Sequence, residues 1–526
     1  MKTIKRECIL RKSYSGHHAY VNLRLNCKAI FSELNSLSLM KMTIINPSFE
    51  RDYDFYDLGT AAVATSINAS DRHKASVLDF FFVWNEWEEH LREHLKRFKP
   101  EIIGLSTYSP RMHQALTVAK LCKEILPDVK VVMGGHHASL DTTETLKQDC
   151  VDFVVIGEAD NTIVQLLDAI EEGSGSAGYY NVPFLAFKDE GKLVENPLGK
   201  LPTPKELDKI PFNDWTLWEH HEKAIYHTGY LPIIGVRGCP YKCSFCSSPI
   251  MAERLAGAGP FVRQKSAQRT AHEAAWQWER HKHQGLRYLM FYDQNFLISS
   301  KWLEEFCEEY RKLGMHEKLP FSCYSRLDHI TKEKLEMARS AGCIQLRVGI
   351  ESGNEEVRNK LLNKELTQDE LIAKVKLLND SKIGSLGYFI IGSKDESISQ
   401  ANESFTFAKK VKLKRAAFFF LTPLYNIPIQ KDVKPNFLEM DRSLGFGFFD
   451  GITSEISGVS KLMLILLFYR ANGWFLLKNI FVQIRNQGLR FIWGFPRYYK
   501  KAKKDGFDFQ QSVVQYTYYH GDSFLY

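Results

Sequence analysis

Short apolar segments of strand length alternate with segments of helix length along two stretches of this chain, and no other feature restricts the fold as strongly. Parallel strands need a crossover connection, usually a helix, so this alternation is typical of a parallel sheet covered by helices. The first series runs from KMTIINPSF at 41–49 to VDFVVIGEAD at 151–160. The second runs from YLPIIGVRGC at 230–239 to RAAFFFLTPL at 415–424. The 526-residue chain therefore predicts two α/β domains in succession.

The two series predict different α/β architectures. The first, over 41–185, predicts a doubly wound, flavodoxin-like parallel sheet, which binds ligands beyond the carboxyl ends of its strands. The six βα units over 231–430 predict a partial TIM-like (β/α)6 barrel, whose active face also lies at the carboxyl ends of the strands. We further expect an amino-terminal extension at 1–40, a polar, proline-containing connector at 186–230 and a mainly helical region at 431–526.

The composition indicates a globular protein. Apolar residues make up 44% of the chain and charged residues 25%, which is typical of domains with sizeable cores. The amino terminus is basic but lacks the apolar run of a secretory signal, and no window supplies the roughly 18 uninterrupted apolar residues of a spanning helix. The ten cysteines are therefore expected to be free or metal-bound thiols in a reducing cytoplasm.

Three cysteines are concentrated in the loop that follows the first strand of the second series. The stretch GVRGCPYKCSFCSSP contains Cys239, Cys243 and Cys246. A structural zinc site needs four ligands, usually as two separated pairs, and the nearest further cysteine, Cys307, falls within a predicted helix. Three thiolates instead suit an iron–sulfur cluster whose fourth iron is open to an exogenous ligand. Zinc and accidental buried cysteines are the alternatives.

The spacing Cys-x3-Cys-x2-Cys at a strand end, with Phe245 directly before the third cysteine, resembles that of the radical SAM enzymes. The resemblance implies that Cys239, Cys243 and Cys246 hold a [4Fe–4S] cluster. It also implies that S-adenosylmethionine (SAM) chelates the unique iron and that one electron cleaves SAM to methionine and a 5′-deoxyadenosyl radical. Phe245 is implied to lie beside the bound cofactor.

Three later segments, YDQNF, SRLD and GIESG, resemble further elements of that family and follow successive predicted strands. The resemblance implies that Arg326 approaches the methionyl carboxylate and that Glu351 and Ser352 lie near the ribose or the methionyl group. Helix capping and surface ion pairing are the alternative roles for these side chains. The cofactor-binding residues implied by the three segments are Asp293, Asn295, Arg326, Glu351 and Ser352.

The first series resembles the cobalamin-binding domain that precedes many radical SAM barrels. The loop after its first strand contains no histidine, so the resemblance implies a corrinoid without a histidine ligand from the protein. We interpret His136 and His137 as pocket or surface residues. The alternative is a flavodoxin-like domain that binds nothing or another nucleotide. The residues implied to line the pocket for the nucleotide tail are Ser106, Thr107, Gly134 and Gly135.

The segment 461–504 is rich in aromatic and aliphatic residues and is strongly basic. Residues 460–504 contain ten Lys and Arg and no Asp or Glu. One interpretation is helices that pack on the barrel with basic outer faces, and the other is an interfacial amphipathic helix that contacts anionic lipid. No RNA-binding module is recognisable, so no nucleic-acid partner is predicted.

Together the resemblances imply an enzyme that uses a [4Fe–4S] cluster, SAM and cobalamin to methylate an unactivated carbon of a natural-product, lipid or tetrapyrrole-type substrate. The implied partners are this small-molecule or lipid-like substrate and a low-potential electron donor such as ferredoxin or flavodoxin. We expect a cytoplasmic location, with membrane contact through 461–504. Two alternatives stay open: a cobalamin-dependent cyclisation, ring contraction or oxygenation without methyl transfer, and a non-enzymatic cluster- or corrinoid-binding sensor.

Overall fold

The computed structural model describes most of the two α/β domains and the helices that follow them. The predicted amino-terminal extension lies outside the described residues, apart from its last two positions. The described residues are 39–49, 56–173, 175–393, 395–421, 424–430 and 460–519.

The first domain is built on a seven-stranded sheet of order β2-β1-β3-β4-β5-β6-β7. Its first five strands pair in parallel, and their order is that of the flavodoxin-like doubly wound fold, so the predicted fold class is confirmed. Residues such as Ile45 and Val131 are fully buried because helices cover both faces. The parallel strands are β1 (Lys41–Asn46), β2 (Lys74–Asp79), β3 (Ile102–Ser106), β4 (Lys130–Gly134) and β5 (Phe153–Val155).

The sheet continues beyond the boundary predicted at residue 185. Strands β6 (Leu185–Asp189) and β7 (Lys192–Glu195) form an antiparallel hairpin that pairs with β5. The predicted start of the connector at 186 is therefore wrong. An edge hairpin exposes one side to water and carries polar residues there, and for this reason its sequence resembles a linker.

Helices connect the parallel strands of this domain, as the alternating pattern predicts, and the connector contains two further α-helices. The helices are α1 (Leu58–Ala69), α2 (Trp87–Phe98), α3 (Met112–Ile125), α4 (His136–Leu140), α5 (Thr142–Lys147), α6 (Thr162–Glu171), α7 (Ser176–Tyr179), α8 (Pro204–Leu207) and α9 (His221–Thr228).

The second domain is a barrel of six parallel strands in the order β8-β11-β12-β13-β14-β15. The edge strands β8 and β15 do not pair with each other within the described residues, so the predicted partial barrel is confirmed. A short antiparallel ribbon, β9 (Val236–Arg237) with β10 (Arg263–Gln264), follows β8. The barrel strands are β8 (Tyr230–Ile233), β11 (Tyr288–Phe291), β12 (Phe321–Arg326), β13 (Cys343–Glu351), β14 (Gly384–Ile391) and β15 (Arg415–Phe420).

Helices pack around the outside of the barrel, and a one-turn π-helix at Val357–Leu361 follows β13. In β14, buried residues such as Phe389 face these helices and alternate with partly exposed residues such as Tyr388, which face the lumen. The helices are α10 (Ser248–Arg254), α11 (Ala267–His281), α12 (Ser300–Lys312), α13 (Met315–Lys318), α14 (Lys332–Ser340), α15 (Gln368–Asp380) and α16 (Ile398–Lys410).

Three helices form the described part of the carboxyl-terminal region: α17 (Lys461–Gln487), α18 (Leu489–Lys504) and α19 (Phe509–Tyr518). Helix α17 packs on the edge strand β15, where Phe468 stacks on Phe420 with 4.9 Å between ring centroids. In the described part of the chain, we find no helix that combines the length and the apolar character needed to cross a bilayer. Residues 431–459 of the predicted helical region lie outside the described residues.

Candidate functional site

The three-cysteine loop lies at the carboxyl edge of the barrel, between β9 and α10. Gly238 begins the loop with a φ of +84°, and a Cβ at this position would collide with the carbonyl oxygen of Phe261. This turn therefore requires glycine. Cys243 is buried, Cys239 and Cys246 are partly exposed, and all three are free thiols. The local backbone thus places three thiols at the face where a βα-barrel carries its active site.

The spacing of the three sulfur atoms bears on whether the loop binds a single zinc ion or an iron–sulfur cluster. Zinc–sulfur bonds of about 2.3 Å would bring the ligand sulfurs to about 4 Å from one another. Among the described residues, the one group of three His, Cys, Asp or Glu ligand atoms within 4.8 Å of one another is His73, Asp168 and Glu171. The three thiols of the cysteine loop therefore do not all lie within 4.8 Å of one another, as the ligands of one zinc ion would.

Two cations surround the buried thiol of Cys243. The Nη1 atom of Arg326 donates to its Sγ at 3.4 Å, and the guanidinium lies 3.7 Å from the ring centroid of Tyr241. The Nζ atom of Lys364 lies 5.8 Å from the ring centroid of Phe245. Burial raises the pKa of Cys243, whereas Lys364 and Arg326 act to lower it. These charges favour thiolates, the form that binds iron.

The chain segment after the π-helix forms hydrogen bonds with the backbone of the cysteine loop. The amide nitrogen of Ser244 donates to the carbonyl of Leu362 at 3.2 Å, and Asn363 Nδ2 donates to the carbonyl of Lys242 at 2.8 Å. Sequence reasoning missed this segment, including Lys364. No periodicity marks it, and its contacts join residues that are more than a hundred positions apart.

Asp293 and Asn295 anchor the backbone beneath the loop. The Oδ1 atom of Asp293 accepts hydrogen bonds from the amides of Gly235 at 3.0 Å and Val236 at 2.5 Å, and burial raises its pKa to about 7. The Oδ1 atom of Asn295 accepts from Ser325 Oγ at 3.0 Å. Asp293 Oδ2 and Asn295 Nδ2 are buried without a partner in the described part of the chain. Unpartnered buried atoms in the segment that follows β11 fit the polar groups of a bound cofactor.

Glu351 and Ser352 end strand β13 but lie in different surroundings. Glu351 has a φ of +67°, a left-handed backbone that is uncommon for a non-glycine residue and often marks a functional site. Its Oε1 atom accepts from Lys364 Nζ at 2.8 Å, which joins it to the surroundings of the cysteine loop. Ser352 is fully buried, and its hydroxyl lies 3.3 Å from that of Ser404 on α16. The Ser352 hydroxyl also accepts from the amide of Asn354 at 3.2 Å, so its contacts are with its own turn and with α16 rather than with the cysteine loop.

A cavity of about 680 Å³ lies at the carboxyl edge of the first sheet and extends to the barrel. This volume is in the range of ligand sites. From the barrel, Gly238 and Ser247, the residues that immediately precede Cys239 and follow Cys246, line the same cavity. One space therefore connects the ligand edge of the sheet with the cysteine loop. The four residues predicted for the sheet pocket all line it: Ser106, Thr107, Gly134 and Gly135.

The hydroxyl groups at the end of β3 shape the cavity wall. Ser106 Oγ donates to the Oδ2 atom of Asp57 at 2.7 Å. Thr107 Oγ1 donates to the carbonyl of Gly134 at 2.8 Å and accepts from the amide of Ala138 at 3.2 Å. Thr107 therefore joins the end of β3 to the end of β4, and Ser106 joins β3 to the residue that caps α1.

The glycine turn leaves open space beside the cavity. A Cβ added at Gly134 would meet its first atom, the carbonyl oxygen of Val155, at 3.8 Å. At Gly135 the φ is +92°, and a Cβ would lie 2.5 Å from the carbonyl oxygen of Thr107. The turn itself thus requires Gly135, whereas the absence of a side chain at Gly134 lets a ligand approach the backbone.

The two histidines after this turn have separate positions. His136 lines the cavity, and burial lowers the pKa of its imidazole. His137 is buried, its Nδ1 atom lies 3.0 Å from Ser109 Oγ, and burial lowers its pKa to about 4. His137 also packs against the ring of Tyr425, which follows β15. The structure thus places one histidine in the cavity and uses the other to join the two domains.

A buried group of ion pairs holds the sheet domain against the cysteine loop. Arg237 of β9 contacts Glu158 at 2.7 Å and Asp160 at 2.8 Å, and Arg263 of β10 also pairs with Glu158. Arg237 acts to lower the pKa of Asp160 against the effect of burial, and the net shift is downward. Since Arg237 directly precedes Gly238, these pairs fix the ligand edge of the sheet relative to the loop. Sequence reasoning missed them because the partners belong to different domains.

Two family models match the chain, one in each domain. The model described as the B12 binding domain matches residues 49–167, and the model of the radical SAM superfamily matches residues 233–408. The chain belongs to the cobalamin-dependent radical SAM family. The resemblance inferred from the cysteine loop and from the sheet is thereby confirmed.

Similar proteins in this family include enzymes of more than one reaction type. An uncharacterized methyltransferase of Pyrococcus horikoshii is 27% identical over 70% of this chain and 76% of its own length. The anaerobic magnesium-protoporphyrin IX monomethyl ester cyclase of Cereibacter sphaeroides is 25% identical over 69% of this chain but 58% of its own length. A solved structure of the methyltransferase TsrM from Kitasatospora setae, with cobalamin and a [4Fe–4S] cluster bound, is 17% identical over 74% of each chain, with a TM-score of 0.61.

In this cobalamin-dependent radical SAM protein, the predicted fold class and the predicted cofactors are confirmed by the two domain matches. The individual residue assignments stay predictions. The structure brings Phe245, Arg326 and Glu351 together around the cysteines and lines the cavity with the four predicted sheet residues. It separates Ser352 from that group.

Proposed function

We propose that this protein is a SAM-dependent methyltransferase that acts on an unactivated carbon of a natural-product, lipid or tetrapyrrole-type substrate. The observation that carries the proposal is the single cavity that runs from Gly134 in the sheet to Gly238 and Ser247 on either side of the cysteines. Groups bound at the two ends of this cavity would face each other. The P. horikoshii relative described as a methyltransferase supports the same reaction type.

When bound, the cluster supplies the electron that cleaves SAM, and the corrinoid supplies a carrier for the methyl group. The residues of the chain itself position the bound groups and supply positive charge near them. Arg326 and Lys364 offer positive charge to the thiolates and to the carboxylate of SAM. Asp293 holds the start of the loop in place, and the ion pairs of Arg237 keep the two domains together and limit the entry of water.

The proposed partners follow from the exposure of the loop and from the chemistry. The partial exposure of Cys239 and Cys246 supports electron transfer to the cluster from a low-potential donor such as ferredoxin or flavodoxin. The proposed location is the cytoplasm, where a reducing environment keeps cysteines as thiols.

A second candidate is a cyclisation or another radical rearrangement without methyl transfer. The similarity to the C. sphaeroides cyclase favours it. Both candidates require reductive cleavage of SAM, so the fate of the methyl group of SAM distinguishes them.

The proposal predicts that the methyl group of SAM reaches the corrinoid. The test uses the full chain, reconstituted anaerobically with iron, sulfide and cobalamin, and incubated with methyl-labelled SAM and a low-potential reductant. We expect the label to be recovered with the corrinoid and 5′-deoxyadenosine to be formed, with neither result when the reductant is omitted. Label that stays entirely in SAM and methionine while 5′-deoxyadenosine forms would favour the cyclase. If neither product forms, the protein is a sensor and both enzymatic proposals are wrong.

We also propose that helices α17 and α18 dock on an anionic membrane surface. One face of α17 packs on the barrel through residues such as Leu464 and Phe475, but its opposite face is also apolar. Phe481 there is 69% exposed, and Trp493 of α18 is 70% exposed. Contiguous exposed apolar surface marks an interaction site. With ten basic and no acidic residues over 460–504, the charge of this surface complements anionic lipid.

Lipid docking predicts a loss of vesicle binding when this face becomes polar. We expect the full chain to co-sediment with vesicles of phosphatidylglycerol and phosphatidylcholine but not with phosphatidylcholine alone. The double variant Leu466→Ser/Phe481→Ser should bind at least about tenfold more weakly, because each side chain contributes roughly 1.5–3 kcal/mol when it is buried. The matched control Leu193→Ser/Ile372→Ser alters exposed apolar residues elsewhere and should bind as the wild type does. Equal binding of both double variants would refute lipid docking through this face.

A further inference from the structure

The lumen of the barrel contains a buried guanidinium that is not part of the proposed cluster, SAM or cobalamin sites. Arg347 lies in the middle of β13, where its neighbours Leu346 and Val348 are fully buried toward the helices. Side chains alternate along a strand, so Arg347 faces the lumen. It is 5% exposed. A fixed positive charge therefore lies inside the barrel.

The contacts of Arg347 are with neutral groups, among them the hydroxyl of Tyr519. Its Nε atom donates to Gln345 Oε1 at 3.2 Å, and its Nη1 atom donates to the hydroxyl of Tyr388 at 3.2 Å. The guanidinium also lies 5.7 Å from the ring centroid of Tyr324. Across the described part of the chain, no Asp or Glu oxygen lies within ion-pairing distance of Arg347. Hydrogen bonds that the guanidinium donates to neutral groups solvate it but leave its charge uncompensated.

A second guanidinium faces the same lumen. Arg415 begins β15 and is also buried, and Arg347 acts, after burial, to lower its pKa. A second positive charge in the lumen raises the energetic cost of burying the charge of Arg347, which no carboxylate of the described residues compensates. The arrangement thus attracts an anion.

The lumen above Arg347 is open and aromatic. Tyr324 and Tyr388 are partly exposed, their rings stack with 6.0 Å between centroids, and Phe419 beside them is 48% exposed. Glu351, which contacts Lys364 near the cysteine loop, lies four residues beyond Arg347, past an irregularity in β13, and its carboxylate lies beside Gly349 on the face that Arg347 shares. At about 3.3 Å per residue, this separation is about 13 Å. A ligand held by Arg347 would therefore extend along aromatic walls toward the cysteine loop.

We propose that the barrel lumen binds the substrate through an oxyanion, a carboxylate or a phosphate, which pairs with Arg347 while a flat apolar part packs on Tyr324 and Tyr388. This inference deepens the proposed function and rests on it, since it names the chemical class of the substrate. The guanidinium matches the two oxygens of such a group by paired hydrogen bonds.

Isothermal titration calorimetry of the reconstituted full chain tests the proposal, with benzoate and phenylphosphate as the two anionic probes and benzyl alcohol as the neutral one. We expect one or both anions to bind and benzyl alcohol to bind at least about tenfold more weakly. Arg347→Met should weaken anion binding roughly tenfold or more, as expected when a hydrogen-bonded charge is removed. The comparison of benzoate with phenylphosphate identifies the preferred oxyanion.

Two further variants keep the test decisive. Arg339→Met removes a charge from the exposed end of α14 and should bind the anions as the wild type does. If Arg347→Met fails to fold, Arg347→Lys, which keeps the charge but not the paired hydrogen bonds, should bind phenylphosphate or benzoate several-fold more weakly. Unchanged anion binding by a folded Arg347 variant, or equal binding of benzyl alcohol, would overturn the proposal. Because calorimetry needs neither SAM nor reductant, a failure of SAM cleavage would refute the proposed function and leave this result intact.

Discussion

The variant Cys243→Ala is expected to lose the iron–sulfur cluster and, with it, reductive cleavage of SAM. Cys243 is the buried member of the three thiols and the one that Arg326 contacts directly. With two thiolates left, the loop cannot hold three irons of a [4Fe–4S] cluster. After anaerobic reconstitution we expect bound iron to fall roughly tenfold, from about four atoms per chain, and 5′-deoxyadenosine to fall to background.

A matched cysteine variant separates loss of the cluster from general damage. Cys150→Ala makes the same change at a buried free thiol in the sheet domain, far along the chain from the loop. It should retain the iron content and the SAM cleavage of the wild type. If Cys243→Ala retains both iron and cleavage, the assignment of the cluster to this loop is wrong.

The variant Gly134→Leu is expected to abolish cobalamin binding while leaving the cluster in place. Gly134 lines the cavity, and a Cβ added there makes an ordinary contact, so the new side chain projects into open space without straining the turn. A leucine then occupies volume that the ligand needs. We expect the cobalamin retained after gel filtration, measured by its visible absorption, to fall at least about tenfold, with iron content unchanged.

The same substitution at another open glycine serves as the control. Gly473 lies in α17, and a Cβ there meets no atom within 4 Å. Gly473→Leu should retain full cobalamin binding. Wild-type cobalamin binding by Gly134→Leu would show that the corrinoid does not occupy this cavity. Loss of iron as well would point to a collapse that extends to the barrel rather than to a blocked site.

The order of the elements and the location of the cysteine loop could be predicted from the sequence because both depend on local patterns. Apolar runs such as that before Gly134 mark buried parallel strands, and the position of Cys239 after a strand places it at the carboxyl edge of the barrel. The close spacing of the three cysteines by itself indicates a loop that binds an iron–sulfur cluster. These features can be recognised in a single sequence because they involve residues that are near one another in the chain.

The rest of the site depends on contacts between distant residues. Lys364 gives no sequence signal, since its partner Glu351 is separated from it by an irregular π-helical turn. The ion pairs between Arg237 and Asp160 join residues of two domains. Ser352 lies directly beside Glu351 in the sequence, which suggested a shared role, whereas in the structure its hydroxyl lies 3.3 Å from that of Ser404 on α16.

Arg347 was overlooked for a related reason. In the sequence it is one polar residue within an apolar strand, and its significance depends on which side of the barrel wall it faces. The neutral character of its neighbours, among them Tyr388, becomes visible when strands from different parts of the chain are brought together.

Metal content and SAM cleavage, measured on one preparation of the wild-type chain, test together whether this protein is a cobalamin-dependent radical SAM enzyme. We expect about four iron atoms and about one cobalt atom per chain after anaerobic reconstitution, with 5′-deoxyadenosine formed only when a low-potential reductant is present. A chain that binds zinc in place of iron, or that binds iron and cobalt but never forms 5′-deoxyadenosine, would contradict this assignment.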